Sequence, residues 1–176
     1  MKYLLDFDRT LFDADALLAD LKDDQVDFTN LGPEVLDGHP ASNYLYQGVL
    51  PFLRSKESAD VYILTALSTR YGDRILEYQK AKIEQESLIS LVHDVVYVSK
   101  DKGEPAQKIA KSFSETETIV FVDDLIENCI AVQTALPQAY CFLMVRTLPA
   151  PGSPLEVLGI PIVHTLQEVD DALDIT

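Results

Sequence analysis

Three stretches of the sequence hold side chains that do little singly and more in company. Asp6-Phe7-Asp8-Arg9-Thr10 follows an apolar run, Thr65-Ala66 closes a second, and Asp123-Asp124 closes another. Ser99-Lys100-Asp101-Lys102 adds two ammonium groups. Carboxylates crowded together repel one another and hold their protons more tightly than usual. A hard divalent cation relieves that repulsion; magnesium takes oxygen ligands and keeps places for water and phosphate oxygens. A cation and an ammonium together neutralise a phosphoryl group while one carboxylate is left to attack it. Phosphoryl transfer needs little more than these parts.

The fragments lie far apart in the chain, so the fold must deliver them to one place. Strand-length apolar runs occupy residues 2–7, 61–65, 95–98, 119–122 and 140–145. They are continuous rather than alternating, as suits strands buried on both faces of a parallel sheet. Helical periodicity falls between them. Residues 49–56 turn Leu50 and Leu53 inward; residues 69–86 turn Ile75, Leu76, Tyr78 and Ile83 inward and leave a Lys/Glu-rich face outside. Helices also follow at 104–113 and 125–136, and residues 161–173 read as a short edge strand and a helix from about Leu166. This alternation predicts an α/β fold, a three-layer Rossmann-like sandwich with a mostly parallel central sheet. Ligands of such sheets bind beyond the carboxyl ends of the strands, where the polar fragments fall.

Residues 12–47 are too long for a direct connection from strand to helix. They read as a small helical cap insertion, with a helical piece at 15–22, in a single domain spanning 1–176. The Pro-rich segment 149–154 reads as a surface loop.

Composition narrows the field. With 176 residues, 47% apolar and 24% charged, the chain suits one globular domain with a sizeable core. Its 29 acidic against 14 basic residues give a net charge of −15, which disfavours a nucleic-acid partner. The apolar runs are too short to span a bilayer, and the early Asp6 interrupts any leader-like segment. Cys129 and Cys141 sit in apolar surroundings and read as buried thiols of a cytoplasmic, reducing compartment. His39, His93 and His164 are scattered, with no metal-ligand spacing. His39, Tyr44 and Tyr46, in or beside the insertion, are candidate substrate contacts.

Taken in order, the motifs resemble those of the haloacid dehalogenase-like phosphatases, over essentially the whole chain. Leu4-Leu5-Asp6-Phe7-Asp8-Arg9-Thr10 is similar to the first, an apolar strand followed by DxDx[TV]. Tyr62-Ile63-Leu64-Thr65 is similar to the second, a lysine before a later helix to the third, and Val120-Phe121-Val122-Asp123-Asp124 to the fourth. The resemblance implies a magnesium-dependent phosphatase acting on a small phosphate monoester through an aspartyl-phosphate. It implies Asp6 as nucleophile and metal ligand. Asp8 would ligate metal through its carbonyl and serve as general acid, then base. Thr65, with Thr10 and Ala66 beside it, would bind the phosphoryl group, Lys102 would offset its charge, and Asp123 and Asp124 would hold the metal. Lys100 is the alternative to Lys102. Arg9 stands where the family often has glycine and is expected to point to solvent, with substrate contact at the mouth of the site as the alternative. Three other activities fit the same motifs: a silent binding protein, a phosphotransferase or mutase, and a dehalogenase. Asp8 and the acidic pair argue against the dehalogenase.

Overall fold

A computed structural model describes residues 1–85, 88–99, 101–147 and 152–174. Lys100, the end of the predicted helix at Glu86 and residues 149–151 of the Pro-rich segment lie outside the described residues.

The strands are β1 (Lys2–Leu5), β2 (Val61–Ala66), β3 (Asp94–Val98), β4 (Ile119–Asp123), β5 (Tyr140–Met144), β6 (Glu156–Val157) and β7 (Ile160–Val163). Among the described residues they form one sheet in the order β3-β2-β1-β4-β5-β7-β6. All neighbouring pairs are parallel except β6 with β7. The helices are α1 (Ala14–Asp23), α2 (Val49–Arg54), α3 (Ile75–Gln85), α4 (Gly103–Ala110), α5 (Ile126–Ala135) and α6 (Leu166–Leu173). This is the three-layer α/β sandwich that the apolar runs predict. The antiparallel hairpin of β6 and β7 is an addition, because a two-residue strand leaves no periodicity to read.

Strand pleating sorts the core into two halves, one on each face. Tyr3, Leu5, Ile63, Val120, Val122, Phe142 and Met144 face one cluster, which α1, α2, α3 and α6 complete. Leu4, Tyr62, Leu64, Phe121, Cys141 and Leu143 face the other, completed by α4 and α5. Successive side chains on a strand point to opposite faces, so both faces must be apolar, and the continuous runs follow from that.

The predicted helix over 69–86 is broken. Thr69–Tyr71 is a 3-10 turn, and α3 begins only at Ile75. Between them Gly72 adopts φ 93°, and a Cβ there would lie 2.5 Å from the Thr29 carbonyl oxygen. The position needs both the left-handed backbone and the missing side chain, so a continuous helix cannot pass through it. Leu76, expected inside, is 38% exposed.

The insertion carries α1 and three 3-10 turns, Phe28–Asn30, Pro33–Leu36 and Ala41–Tyr44. Asp13 caps α1, accepting from the Ala16 N–H at 3.0 Å. Leu17, Leu21, Leu31, Leu36 and Tyr44 join the same core as Leu5 and Ile63. The segment is thus welded onto one face of the sheet beside α3.

Candidate active site

β1 lies between β2 and β4, and the chain crosses from the β3 edge to β4 on the other side of β1. That is the switch point where an open α/β sheet leaves a crevice beyond its carboxyl ends. Leu5 pairs with Val122, and the Asp6 N–H donates to the Val122 carbonyl at 2.9 Å, so Asp6 and Asp123 emerge side by side. Asp6 follows the parity of Leu4, and Asp123 that of Phe121; both therefore face α4 and α5. Thr65 follows the parity of Ile63 and faces α3.

On the α4 side, the Lys102 ammonium, 1% exposed, bonds to Asp6 Oδ1 and to Asp123 Oδ2, the latter at 2.7 Å. Asp123 is fully engaged. Its Oδ1 accepts from the Leu125 N–H at 2.9 Å and Asn128 Nδ2 at 3.0 Å, and its Oδ2 also accepts from Asn128 at 3.1 Å. Gly103 makes this closeness possible. A Cβ there would stand 2.7 Å from the Ala131 carbonyl oxygen of α5, so α4 abuts α5 backbone to backbone just after Lys102.

Asp6, Asp123 and Asp124 each offer an oxygen within 4.8 Å of the others. Burial raises the Asp6 pKa above the usual carboxylate range; Lys102 opposes the rise and Asp123 adds to it. Burial, with Asp123 adding, likewise raises Asp124 to about 6, against Arg9 and Lys102. For Lys102 burial works downward, but Asp6 and Asp123 outweigh it and its pKa is raised. Three carboxylates against one ammonium leave two negative charges when all are ionised. Hard oxygen donors with that surplus are what a divalent cation such as magnesium fits.

On the α3 side a second cluster holds Asp8. Lys82 Nζ donates to Asp8 Oδ1 at 2.5 Å, and Gln79 Nε2 donates to Asp8 Oδ2 and to Thr65 Oγ1, both at 2.9 Å. Lys82 is 3% exposed and packs against the rings of Phe7, Phe12 and Tyr78. Sequence reasoning missed both donors by assigning the polar residues of this helix to a solvated face. The signal was present: Ile75, Tyr78, Gln79 and Lys82 fall at i, i+3, i+4 and i+7, on one stripe.

One cavity of about 190 Å³ joins the two clusters, lined by Asp6, Asp8, Thr65, Ala66, Lys102 and Asp124, with Gln79 and Lys82. Ala14, Leu18 and Leu31 of the insertion form part of its wall. Toward solvent it adjoins a shallower depression bounded by Leu18, Lys22, Phe28, Thr29, Arg70 and Tyr71. Arg9 also reaches the wall, at its rim, with its side chain 42% exposed. It is held by Asp15 through bonds of 2.9 and 2.7 Å and adopts φ 62°, a left-handed backbone that glycine enters more easily.

Thr10 is fully buried outside the cavity wall, its hydroxyl without a partner among the described residues. Its carbonyl accepts from Arg146 Nε at 3.0 Å, which ties the motif loop to the segment just after β5. His39, Tyr44 and Tyr46 do not line the cavity either. His39 lies 3.1 Å from the Tyr44 hydroxyl and 3.0 Å from Asp24, Tyr44 donates to Asp20, and Tyr46 stacks beneath Arg146. Both cysteines are buried free thiols.

No family model and no curated protein sequence matches the chain. Solved structures do. A haloacid dehalogenase-like family hydrolase from Xanthomonas campestris superposes with a TM-score of 0.60 over 99% of this chain and 96% of that one, at 15% identity. A D,D-heptose 1.7-bisphosphate phosphatase from B. bronchiseptica, solved with magnesium and phosphate, gives 0.59 over 100% of both chains, also at 15% identity. The chain thus has the α/β fold of the haloacid dehalogenase-like hydrolases.

Proposed function

We propose that the chain is a haloacid dehalogenase-like phosphatase, a magnesium-dependent phosphohydrolase of small phosphate monoesters. The observation that carries this reading is the Asp6 carboxylate at the cavity floor, bonded to Lys102 and within 4.8 Å of oxygens of Asp123 and Asp124. Asp6, Asp124 and, directly or through water, Asp123 would hold the cation, with the Asp8 carbonyl as a further ligand. Bound there, the cation would neutralise charge on the carboxylates and on the phosphate oxygens.

The chain's own groups then divide the work. The free oxygen of Asp6 attacks phosphorus, the ester P–O bond breaks, and Asp8 gives its proton to the leaving oxygen. Water next attacks the phosphorylated Asp6, Asp8 takes the water's proton, and phosphate leaves with Asp6 restored. Thr65 and the Ala66 backbone bind the phosphoryl group while Lys102 offsets its charge. Thr10, sealed in the core, supports the loop instead of touching substrate. The insertion at 12–47 acts as a small cap: with the cavity at about 190 Å³, below the ~300 Å³ common for larger ligands, the remainder of the ester lies in the depression at the mouth.

Among the described residues no helix is long and apolar enough to cross a membrane. The two free thiols support a reducing, cytoplasmic setting. The charge of −15 weighs against a nucleic-acid substrate.

The test is phosphate release from an aryl phosphate and a panel of phosphate esters. Magnesium should support turnover, while EDTA or Asp6→Asn should abolish it. Equal rates for Asp6→Asn and the wild type rule out the mechanism. An inert wild type that still binds magnesium points to a silent binding protein.

A further inference from the structure

Lys82 and Gln79 are costly residues to bury. Taking an ammonium out of water costs several kcal/mol even when it is paired. The slot among Phe7, Phe12 and Tyr78 would accept an apolar side chain of similar length without that cost. What the polar pair provides is confined to one place. Lys82 reaches Asp8 Oδ1 at 2.5 Å, and the Gln79 amide reaches Asp8 Oδ2 and Thr65 Oγ1, each at 2.9 Å. An ammonium and an amide NH2 are donors only. Both carboxylate oxygens therefore face donors, and Asp8 is held as an acceptor at a fixed distance from Thr65.

We propose that Gln79 and Lys82 are positioning residues that hold the Asp8 carboxylate for the proton-accepting half of the cycle, the hydrolysis of phosphorylated Asp6. This deepens the phosphatase reading and rests on it. In that half, water forms a new P–O bond, the P–O bond to Asp6 breaks, and the proton passes from water to Asp8. A carboxylate pinned by two buried donors keeps one orientation in the cavity wall. Released from them, it rotates freely and the phosphorylated state outlives its formation.

The variants are Lys82→Met and Gln79→Met, each close to its parent in length, with thermal unfolding as a check on folding. With magnesium and an aryl phosphate whose phenolate leaves with little help from Asp8 as acid, kcat should fall about tenfold or more, while kcat/KM, which reports only the steps up to release of the phenol, stays within about threefold. Phosphorylated protein should accumulate during turnover, read by intact mass after an acid quench. In an Asp8→Asn background neither substitution should add to the effect, because both act through Asp8. Equal losses in kcat and kcat/KM without phosphorylated protein would mark the pair as structural and overturn the proposal, as would an unchanged kcat. An Asp6→Asn variant that remains active, or a wild type that never carries phosphate on Asp6, would instead sink the phosphatase reading beneath it.

Discussion

Lys102 and Lys82 are both sealed from solvent, and each bonds to one aspartate of the Asp6-Phe7-Asp8 step from opposite faces of the sheet. Their surroundings differ. Lys102 lies between two carboxylates whose own exposures are 7% and 0%, and its charge screens Asp6 from Asp123. Lys82 sits among aromatic rings and answers a single carboxylate that is 30% exposed. The first cluster holds surplus negative charge when its carboxylates are ionised; the second is balanced in itself. Removing charge from the first should be felt in folding and chemistry together, whereas removing it from the second should be felt chiefly in chemistry.

The largest effect is expected at Lys102. Lys102→Met should lower kcat by roughly 10²–10³-fold, as loss of one buried electrostatic donor does. It should also cost about 3–5 kcal/mol of stability, since the carboxylates are left unpaired in the interior. Denaturant unfolding together with steady-state kinetics reads both. A fully stable Lys102→Met protein would erase the contrast between the clusters.

Next comes the response to metal. Asp6 and Asp124 have folded-state pKa values above their unfolded ones, that of Asp124 at about 6. The folded protein therefore binds more protons than the unfolded chain, and this contribution to stability is present below the unfolded values near 4 and lost as pH rises through the folded values. Magnesium needs the ionised forms, so the stabilisation it gives should grow across the same window. It should reach about 2–3 kcal/mol at a hundredfold excess over its dissociation constant. Thermal unfolding with and without magnesium at pH 5 and pH 8 measures this, and a magnesium shift that shrinks with pH would contradict it.

At Lys82 the change in stability should be small, within about 1 kcal/mol, because the lost hydrogen bond is offset by an ammonium no longer buried and Asp8 can turn toward water. A loss as large as that of Lys102→Met would make the two clusters equivalent. The smallest effect belongs to the mouth. Arg70, stacked on the Tyr71 ring at 4.5 Å, is exposed. Arg70→Ala should raise KM about two- to fivefold for esters carrying a second anionic group and leave kcat unchanged, since exposed charges are worth at most about 1 kcal/mol.

The same contrast marks what could be read beforehand. The first cluster was legible because its members stand at the ends of strands, where a continuous apolar run stops abruptly at acid. Lys102 was legible only as one of two lysines, with Lys100, on the approach to a helix after β3. The second cluster was not, because Gln79 and Lys82 lie in mid-helix, where polar side chains usually mean solvent. Only their common stripe with Ile75 and Tyr78 distinguished them. The break at Gly72 was hidden for another reason: it depends on the approach of Thr29 from the insertion, a contact distant in sequence. Arg9 gave no sign of its left-handed backbone, since side-chain chemistry alone does not reveal a φ of 62°.

The abutment of Gly103 on Ala131 leaves no tolerance between the helix that Lys102 leads and the helix that follows the acidic pair. A methyl group at 103 would act as a wedge, driving the two apart and widening the gap that the lysine spans. The spacing of the charges is thus set by main chain against main chain, insensitive to side-chain changes elsewhere. Substitutions at exposed positions of the mouth, such as Lys22 and Arg70, are then free to reshape the entrance, and with it substrate preference, while this spacing holds.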